Sequence, residues 1–417
     1  MLKHTFFLAK NQSSQKLLHY ILIVTIVFFA DAILAFWLPT YLDLTFSSSM
    51  IMGLIISFSS VVGLATDFLF PQLFPSISEK KTLNFTLFFL AGFIGLLMLS
   101  LQFPYWWIFI LAVSSWGIYY EFLTFASKMY VSEHVNKKLY TNAWAEIDLG
   151  KSFAYLLGPI VASILLVRGN FSVIIASLIA LILAQLLLSF FKENNKETKE
   201  PDKTQPIAIQ PAMELSHWVS LGKKVWPVIL LNFLTTSIDA TFWTTGAVFA
   251  EKTVASYPLA IFIMPLYMAP MLIAQVILIK KGININKEKK ATLLLIINAL
   301  LLIILGSIQV GHGVLLTTFA IGLLVSFAYP LIESSYSDLE ERMGIHKKHL
   351  IALSSSIYSL AYIIAPITAG FIGDLFGEQK SFSYLGIMVG FFAVITLILN
   401  RKKITIPQKE ITTWDTK

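Results

Sequence analysis

Twelve long apolar runs, separated by short polar connections, set the pattern of this chain. A helix that crosses a bilayer needs about 20 mostly apolar residues, because each residue rises about 1.5 Å across about 30 Å of hydrocarbon. Six runs of this kind lie in the first part of the chain: Leu17–Leu38, Ser49–Phe70, Leu83–Leu101, Pro104–Ala126, Trp144–Val167 and Phe171–Phe191. Six more follow: Val225–Phe249, Tyr257–Ile279, Ala291–Val310, Gly313–Ile332, Leu350–Phe371 and Phe382–Leu399. They are too long and unbroken for the alternating strands of an outer-membrane barrel. The pattern predicts an all-α polytopic membrane protein of about 12 transmembrane helices.

The pattern breaks once, near the middle. The stretch Lys192–Lys224 opens with KENNKETKEPDKTQP, a composition that cannot bury a core and reads as a mobile cytoplasmic connection. It divides the chain into an N-terminal bundle (1–191), a linker (192–224), a C-terminal bundle (225–400) and a cytoplasmic tail (401–417).

The two bundles echo each other. The fifth run contains Ser152-Phe-Ala-Tyr155-Leu-Leu-Gly158-Pro159-Ile-Val-Ala162, and the eleventh contains Ser359-Leu-Ala-Tyr362-Ile-Ile-Ala365-Pro366-Ile-Thr-Ala369, 207 positions on. Asp31-Ala32, followed by Phe36-Trp37, returns as Asp239-Ala240, followed by Phe242-Trp243, with an offset of 208 at the aspartates and 206 at the tryptophans. Six helices separate each matched pair, so both copies have the same orientation in the membrane. That is a parallel repeat of two six-helix bundles.

Composition agrees with a lipid environment. Hydrophobic residues make up 56% of the chain and charged residues 13%, with a mean hydropathy of +0.74. A soluble domain carries roughly twice that charged share. The absence of cysteine excludes disulfides, thiolate metal sites and a cysteine nucleophile. The net charge of +7 raises the question of nucleic acid, but its placement answers it. With the N-terminus inside, 27 of the 31 basic residues fall on the inner side, Arg168, Lys252 and Lys380 fall outside, and Lys151 lies within the fifth helix. Basic residues gather in cytoplasmic loops. The expectation is a multi-pass protein of the inner (cell) membrane with both termini cytoplasmic and no nucleic-acid partner. The basic N-terminus (Lys3, Lys10, Lys16) resembles a signal peptide, but the run behind it is too long and is interrupted by Asp31, so it reads as a first helix.

An ionisable side chain deep in a membrane is expensive and usually faces a polar cavity or a partner. Asp31 and Asp239 each lie about 21 Å from the inner edge of their helices at about 1.5 Å per residue. Two acids at matching depth suit proton coupling, since a carboxylate neutralised by a proton can pass between inward- and outward-facing states. In the simpler reading each acid only hydrogen-bonds a neighbouring helix, with Ser237 and Thr241 among the available hydroxyls. Glu121, after Tyr119-Tyr120 and two turns from the expected end of the fourth helix, suits cation binding, proton relay or a salt bridge to Lys151. Glu333 is its approximate counterpart, nearer the helix end. Asp148 and Lys151 share a helix face and suit a local ion pair. Trp243, Tyr119, Tyr120, Tyr155, Tyr362 and Asn232 are candidates to line a substrate cavity. Trp37, beside Pro39, reads as an interfacial anchor.

Two stretches carry a family resemblance. Gly63-Leu-Ala-Thr-Asp67 keeps the Gly and Asp of a G-x-x-x-D-R-x-G-R motif between helices 2 and 3, while Phe68-Leu-Phe-Pro71 lacks its Arg and Gly. Ala154, Gly158-Pro159, Ala162 and Ser163 keep every position small in the spacing of a G-x-x-x-G-P-x-x-G-G exporter motif in helix 5. With two six-helix halves and a charged central linker, the chain resembles the major facilitator superfamily. The resemblance implies a central cavity lined by helices 1, 4, 7 and 10, and a moving interface that includes helices 5 and 11. Gly63, Asp67, Ala154, Gly158, Pro159, Ala365 and Pro366 then serve gating and close helix packing.

No G-x-x-x-x-G-K-[ST], H-E-x-x-H or G-x-S-x-G occurs, and His346-Lys-Lys-His349 reads as a solvated loop rather than a metal site. The expectation is a non-enzymatic secondary transporter without cofactor or metal, proton-coupled, monomeric, and moving a small organic solute outward. Sugar or polar-solute symport and a non-transporting membrane scaffold are the alternatives.

Overall fold

The computed structural model describes residues 12–73, 77–134, 140–191, 211–281, 286–343, 346–400 and 406. Most of the expected linker, much of the tail and the Lys137-Lys138 pair lie outside the described residues. No strand occurs among those described. The first half forms α1 (Gln12–Phe46), α2 (Ser49–Leu73), α3 (Glu79–Ser100), α4 (Trp106–His134), α5 (Tyr140–Leu166) and α6 (Asn170–Ser189). The second half begins with α7 (Pro211–Thr241), which continues through a π-helical turn (Phe242–Gly246) into Ala247–Val254. After a 3₁₀ turn (Pro258–Phe262) come α8 (Ile263–Lys281), α9 (Lys287–Leu305), α10 (His312–Met343), α11 (Lys347–Phe376) and α12 (Glu378–Leu399).

Each apolar run in the sequence thus becomes a helix. Among the described residues, ten are long and apolar enough to cross a membrane. In α8, with its 3₁₀ entry, the described apolar stretch is Pro258–Ala274. Helix α9 opens with Lys287-Glu-Lys-Lys290, which loads its 19 residues with charge. The helices run without a break through Pro159 and Pro366.

The chain divides into two compact units, one of residues 1–47 and 55–204, the other of 48–54 and 205–417. In the first, α1 packs on α5 and α6, and α3 on α4 and α6. In the second, α7 packs on α11 and α12, and α9 on α10 and α12. The same scheme of partners is therefore used twice. The tight connections repeat as well: Gly169 (φ 100°) separates α5 from α6, and Gly377 (φ 90°), 208 positions on, separates α11 from α12. A Cβ is strained in that conformation, which selects glycine at both.

A staple, a contact between a carboxylate and a basic side chain, joins the start of the third helix of each unit to the end of the fourth. In the first unit Glu79 Oε2 lies 3.2 Å from His134 Nδ1. In the second Lys287 Nζ lies 2.7 Å from Asp338 Oδ2. Glu79 and Lys287 are 208 positions apart, so the staple is repeated with acid and base exchanged.

Candidate functional site

Helix α5 lies hard against α1. A Cβ on Gly158 would sit 2.4 Å from the Ala32 Cβ and 2.9 Å from the Ala32 carbonyl carbon. Ala154 and Ala162, one turn to either side, are buried on the same face. This small-residue stripe brings the backbones together next to Asp31. Tyr155, nearly one turn before Gly158, then reaches across and donates its hydroxyl to Asp31 Oδ2. From α4, Trp116 Nε1 donates to Asp31 Oδ1 at 2.7 Å. The indole is itself fixed by parallel stacking on Phe93 of α3, with ring centroids 5.3 Å apart. Asp31 is 1% exposed. Tyr119 is fully buried beside the same carboxylate, and its hydroxyl closes no hydrogen bond of ordinary geometry.

Lys151 completes this cluster. Its ammonium donates to the Tyr120 hydroxyl at 2.8 Å. It lies 5.1 Å from the ring centroid of Phe28, 5.4 Å from that of Tyr120 and 5.8 Å from that of Tyr155. A cation within about 6 Å of an aromatic face is attracted by the ring quadrupole. Asp148 lies within electrostatic reach of the same ammonium. Glu121 lies against α2. Its Oε1 would be 3.2 Å from a Cβ on Gly63, so Gly63 makes room on α2 for this carboxylate. One turn earlier, a Cβ on Gly117 would meet the Ser59 carbonyl oxygen at 2.2 Å, which shows how closely α2 and α4 cross. Because α4 runs on to His134, Glu121 lies more than three turns from its end, deeper than the sequence suggests. Asp67 is half-buried on α2, one turn beyond Gly63.

The second unit repeats the central pair. Tyr362 of α11 donates to Asp239 Oδ2 at 2.5 Å, and Tyr267 of α8 donates to Oδ1 at 3.0 Å. Tyr267 is held by stacking on Phe242, with centroids 4.0 Å apart. Close approach again supports the geometry, since a Cβ on Gly322 of α10 would meet the Tyr267 carbonyl oxygen at 2.2 Å. Tyr358 and Tyr362 lie on one face of α11 with ring centroids 5.1 Å apart. Ala365 and Pro366 are buried. Asp239 is only half-buried. Two turns earlier on α7, Asn232 accepts from Thr236 at 3.3 Å and donates to the Ser354 carbonyl at 3.4 Å. The buried Tyr336 hydroxyl lies beside Asn232. Trp243, half-exposed, belongs to the π-helical turn.

Several expectations change. Ser237 and Thr241 do not serve Asp239: each hydroxyl bonds the carbonyl one turn back, Phe233 O at 2.7 Å and Ser237 O at 2.8 Å. Short hydroxyl side chains in helices find that partner first. Trp37 is no interfacial anchor. It is 1% exposed and donates to Asn170 Oδ1 at 2.9 Å, inside the first bundle. His346 and His349 are buried at the start of α11 rather than solvated, and the His349 ring meets that of His217 edge-on at 4.7 Å. Among the described residues no His, Cys, Asp and Glu group could hold a metal ion. Glu333 is exposed on α10. Trp116, Tyr267 and the cation role of Lys151 are not evident from sequence patterns alone. Tyr155 and Tyr362 carried a signal: they recur at nearly the offset of the two aspartates.

Residues 129–345 match the family model for the Major Facilitator Superfamily. Among solved structures the chain is similar to the nucleoside transporter NupG, with 12% identity and a TM-score of 0.70 over 92% of this chain and 100% of that one. It is similar to a D-xylose–proton symporter, with 16% identity and a TM-score of 0.69 over 91% of this chain and 96% of that one. It is also similar to the human organic anion transporter MFSD10 (TETRAN), with 14% identity and a TM-score of 0.63 over 93% of this chain and 100% of that one. At these identities the likeness is one of fold. No curated protein sequence matches the chain.

Proposed function

The chain belongs to the Major Facilitator Superfamily, and on that premise we propose that it is a proton-coupled secondary transporter that exports a small organic solute by alternating access. The observation that carries this reading is the duplicated acid–phenol pair, Asp31 with Tyr155 and Asp239 with Tyr362. A carboxylate inside an apolar bundle is stable only when its lone pairs are satisfied. The phenols themselves add no formal charge to either pair, and the Lys151 ammonium, within electrostatic reach of Asp31, compensates that acid when it releases its proton. Asp31 is the proton-coupling residue in this scheme, Asp239 its partner on the solute side, and Glu121 a relay against α2. The outward direction is supported by the close-packed stripe Ala154–Gly158–Ala162 beside Asp31. The excess of basic residues on one side of the helices supports cytoplasmic termini and a cell-membrane setting. The protein acts as a monomer in this reading.

A second reading, symport of a polar solute, is favoured by the buried Asn232–Thr236–Tyr336 cluster, whose amide and hydroxyl groups suit a sugar-like ligand. Proteoliposomes with an imposed pH gradient separate the two. Export by antiport requires solute to move against the proton flow, and symport requires it to move with it. Absence of any gradient-driven flux across a broad solute screen defeats both.

A further inference from the structure

We propose that the aromatic acid cluster at Asp239 recognises the cationic group of the solute, an organic ammonium, and that Lys151 in the first unit is a tethered likeness of that ligand. The inference rests on the transporter reading and assigns that transporter a substrate class and a site.

The first unit shows what this architecture binds. An ammonium sits over the faces of Phe28, Tyr120 and Tyr155 at 5.1–5.8 Å. One of those rings, Tyr155, is hydrogen-bonded to the carboxylate of Asp31. The cation thus has aromatic faces for contact and an acid within electrostatic reach. In the second unit the acid and its tyrosine are kept as Asp239 and Tyr362. The offset of 207 that places Tyr362 on Tyr155 places Tyr358 on Lys151. Where the first unit supplies an ammonium, the second therefore supplies one more aromatic face. Tyr358 and Tyr362 lie side by side, and Tyr267, stacked on Phe242, brackets the carboxylate from α8.

The chemistry selects a cation. A carboxylate repels an anionic solute. A neutral polyol needs free hydrogen-bonding edges, but the hydroxyls of Tyr267 and Tyr362 already donate to Asp239. What the cluster offers is negative charge and π faces, the two features that hold primary to quaternary ammonium groups. The ring faces need no N–H donor, so quaternary ammonium is accepted as well as primary amine. Asp239 is half-exposed while Asp31 is sealed, which suits the former to an exchangeable ligand and the latter to a permanent one.

The test uses the full chain in lipid nanodiscs, without a proton gradient, and benzyltrimethylammonium as the probe. Binding is read by calorimetry, with benzyl alcohol as the uncharged comparison. The wild-type protein binds the cation at least tenfold more tightly than the alcohol. Asp239→Asn lowers cation affinity at least tenfold. Tyr358→Lys, which rebuilds the first-unit arrangement with its own ammonium, abolishes cation binding. Size-exclusion profiles establish that each variant is folded, and the cation-to-alcohol ratio of the wild-type protein needs no variant at all. Equal binding of alcohol and cation, or cation affinity unmoved by both substitutions, overturns the inference. Flux measured separately in proteoliposomes keeps the two readings apart. Gradient-driven transport without cation binding leaves the transporter reading standing and removes this one. Cation binding without flux does the reverse.

Discussion

Asp31 is held by an indole N–H and a phenol and is almost fully enclosed, whereas Asp239 is held by two phenols and stays half-exposed. The halves share a helix scheme, a glycine turn and an acid–tyrosine pair, yet they differ in what surrounds the acid. Full enclosure removes an ionisable group from water and must be offset by hydrogen bonds and charge. The first half meets that demand with Trp116 and the nearby ammonium of Lys151. The second half leaves its acid partly open and surrounds it with rings. The repeat keeps the acid–tyrosine pair, while the surroundings of the two acids differ.

The largest effect is expected at the enclosed acid. Asp31→Asn should lower pH-gradient-driven flux in proteoliposomes by roughly two orders of magnitude, because an amide cannot take up and release a proton. Asp239→Asn should leave some coupled flux at saturating solute. Equal and complete loss in both variants would erase the distinction between them. Next come the phenols. Tyr155→Phe should destabilise the detergent-solubilised protein by about 1.5–3 kcal/mol, the usual worth of a hydrogen bond to a charged group. Tyr362→Phe should cost less, since Asp239 has access to other donors. Thermal unfolding monitored by tryptophan fluorescence measures both.

Helix packing sharpens the comparison in a different way. Gly158→Ala pushes a methyl group into Ala32 and should cost about 1–3 kcal/mol through overpacking. The reciprocal Ala365→Gly, at the equivalent position of α11, should cost only about 0.5–1 kcal/mol, through backbone entropy. The smallest effect belongs to the staples. Glu79→Gln and Asp338→Asn each remove one staple and should cost up to about 1 kcal/mol of thermal stability, the usual worth of a part-exposed ion pair.

The fold was highly legible because membrane helices are written in long apolar runs, and all twelve runs became helices. The repeat was legible for a similar reason: Asp, Tyr, Pro and Gly stand out against an apolar background. Partner choice was not. Ser237 and Thr241 looked suited to Asp239, but their short side chains close onto their own helix, and only the longer tyrosines span the gap between helices. Lys151 read as one half of a local pair with Asp148, since spacing on one helix says nothing about the rings that α1 and α4 bring to it. Trp37 looked like an anchor beside Pro39, yet α1 continues beyond both to Phe46 and places the indole within the bundle.

A π-helical turn winds an extra residue into each hydrogen-bonded ring, so side chains beyond it point elsewhere than on an unbroken helix. Helix α7 has such a turn at Phe242–Gly246, and α1 has none. The turn acts as a dislocation in the duplicated lattice, beginning three residues after Asp239. Before it, the second half follows the template of the first. Within it, Trp243 stands half open although its sequence counterpart Trp37 is sealed against α6. The far end of α7 has thereby been released from inherited symmetry, and there the two copies can diverge without disturbing the acid they share.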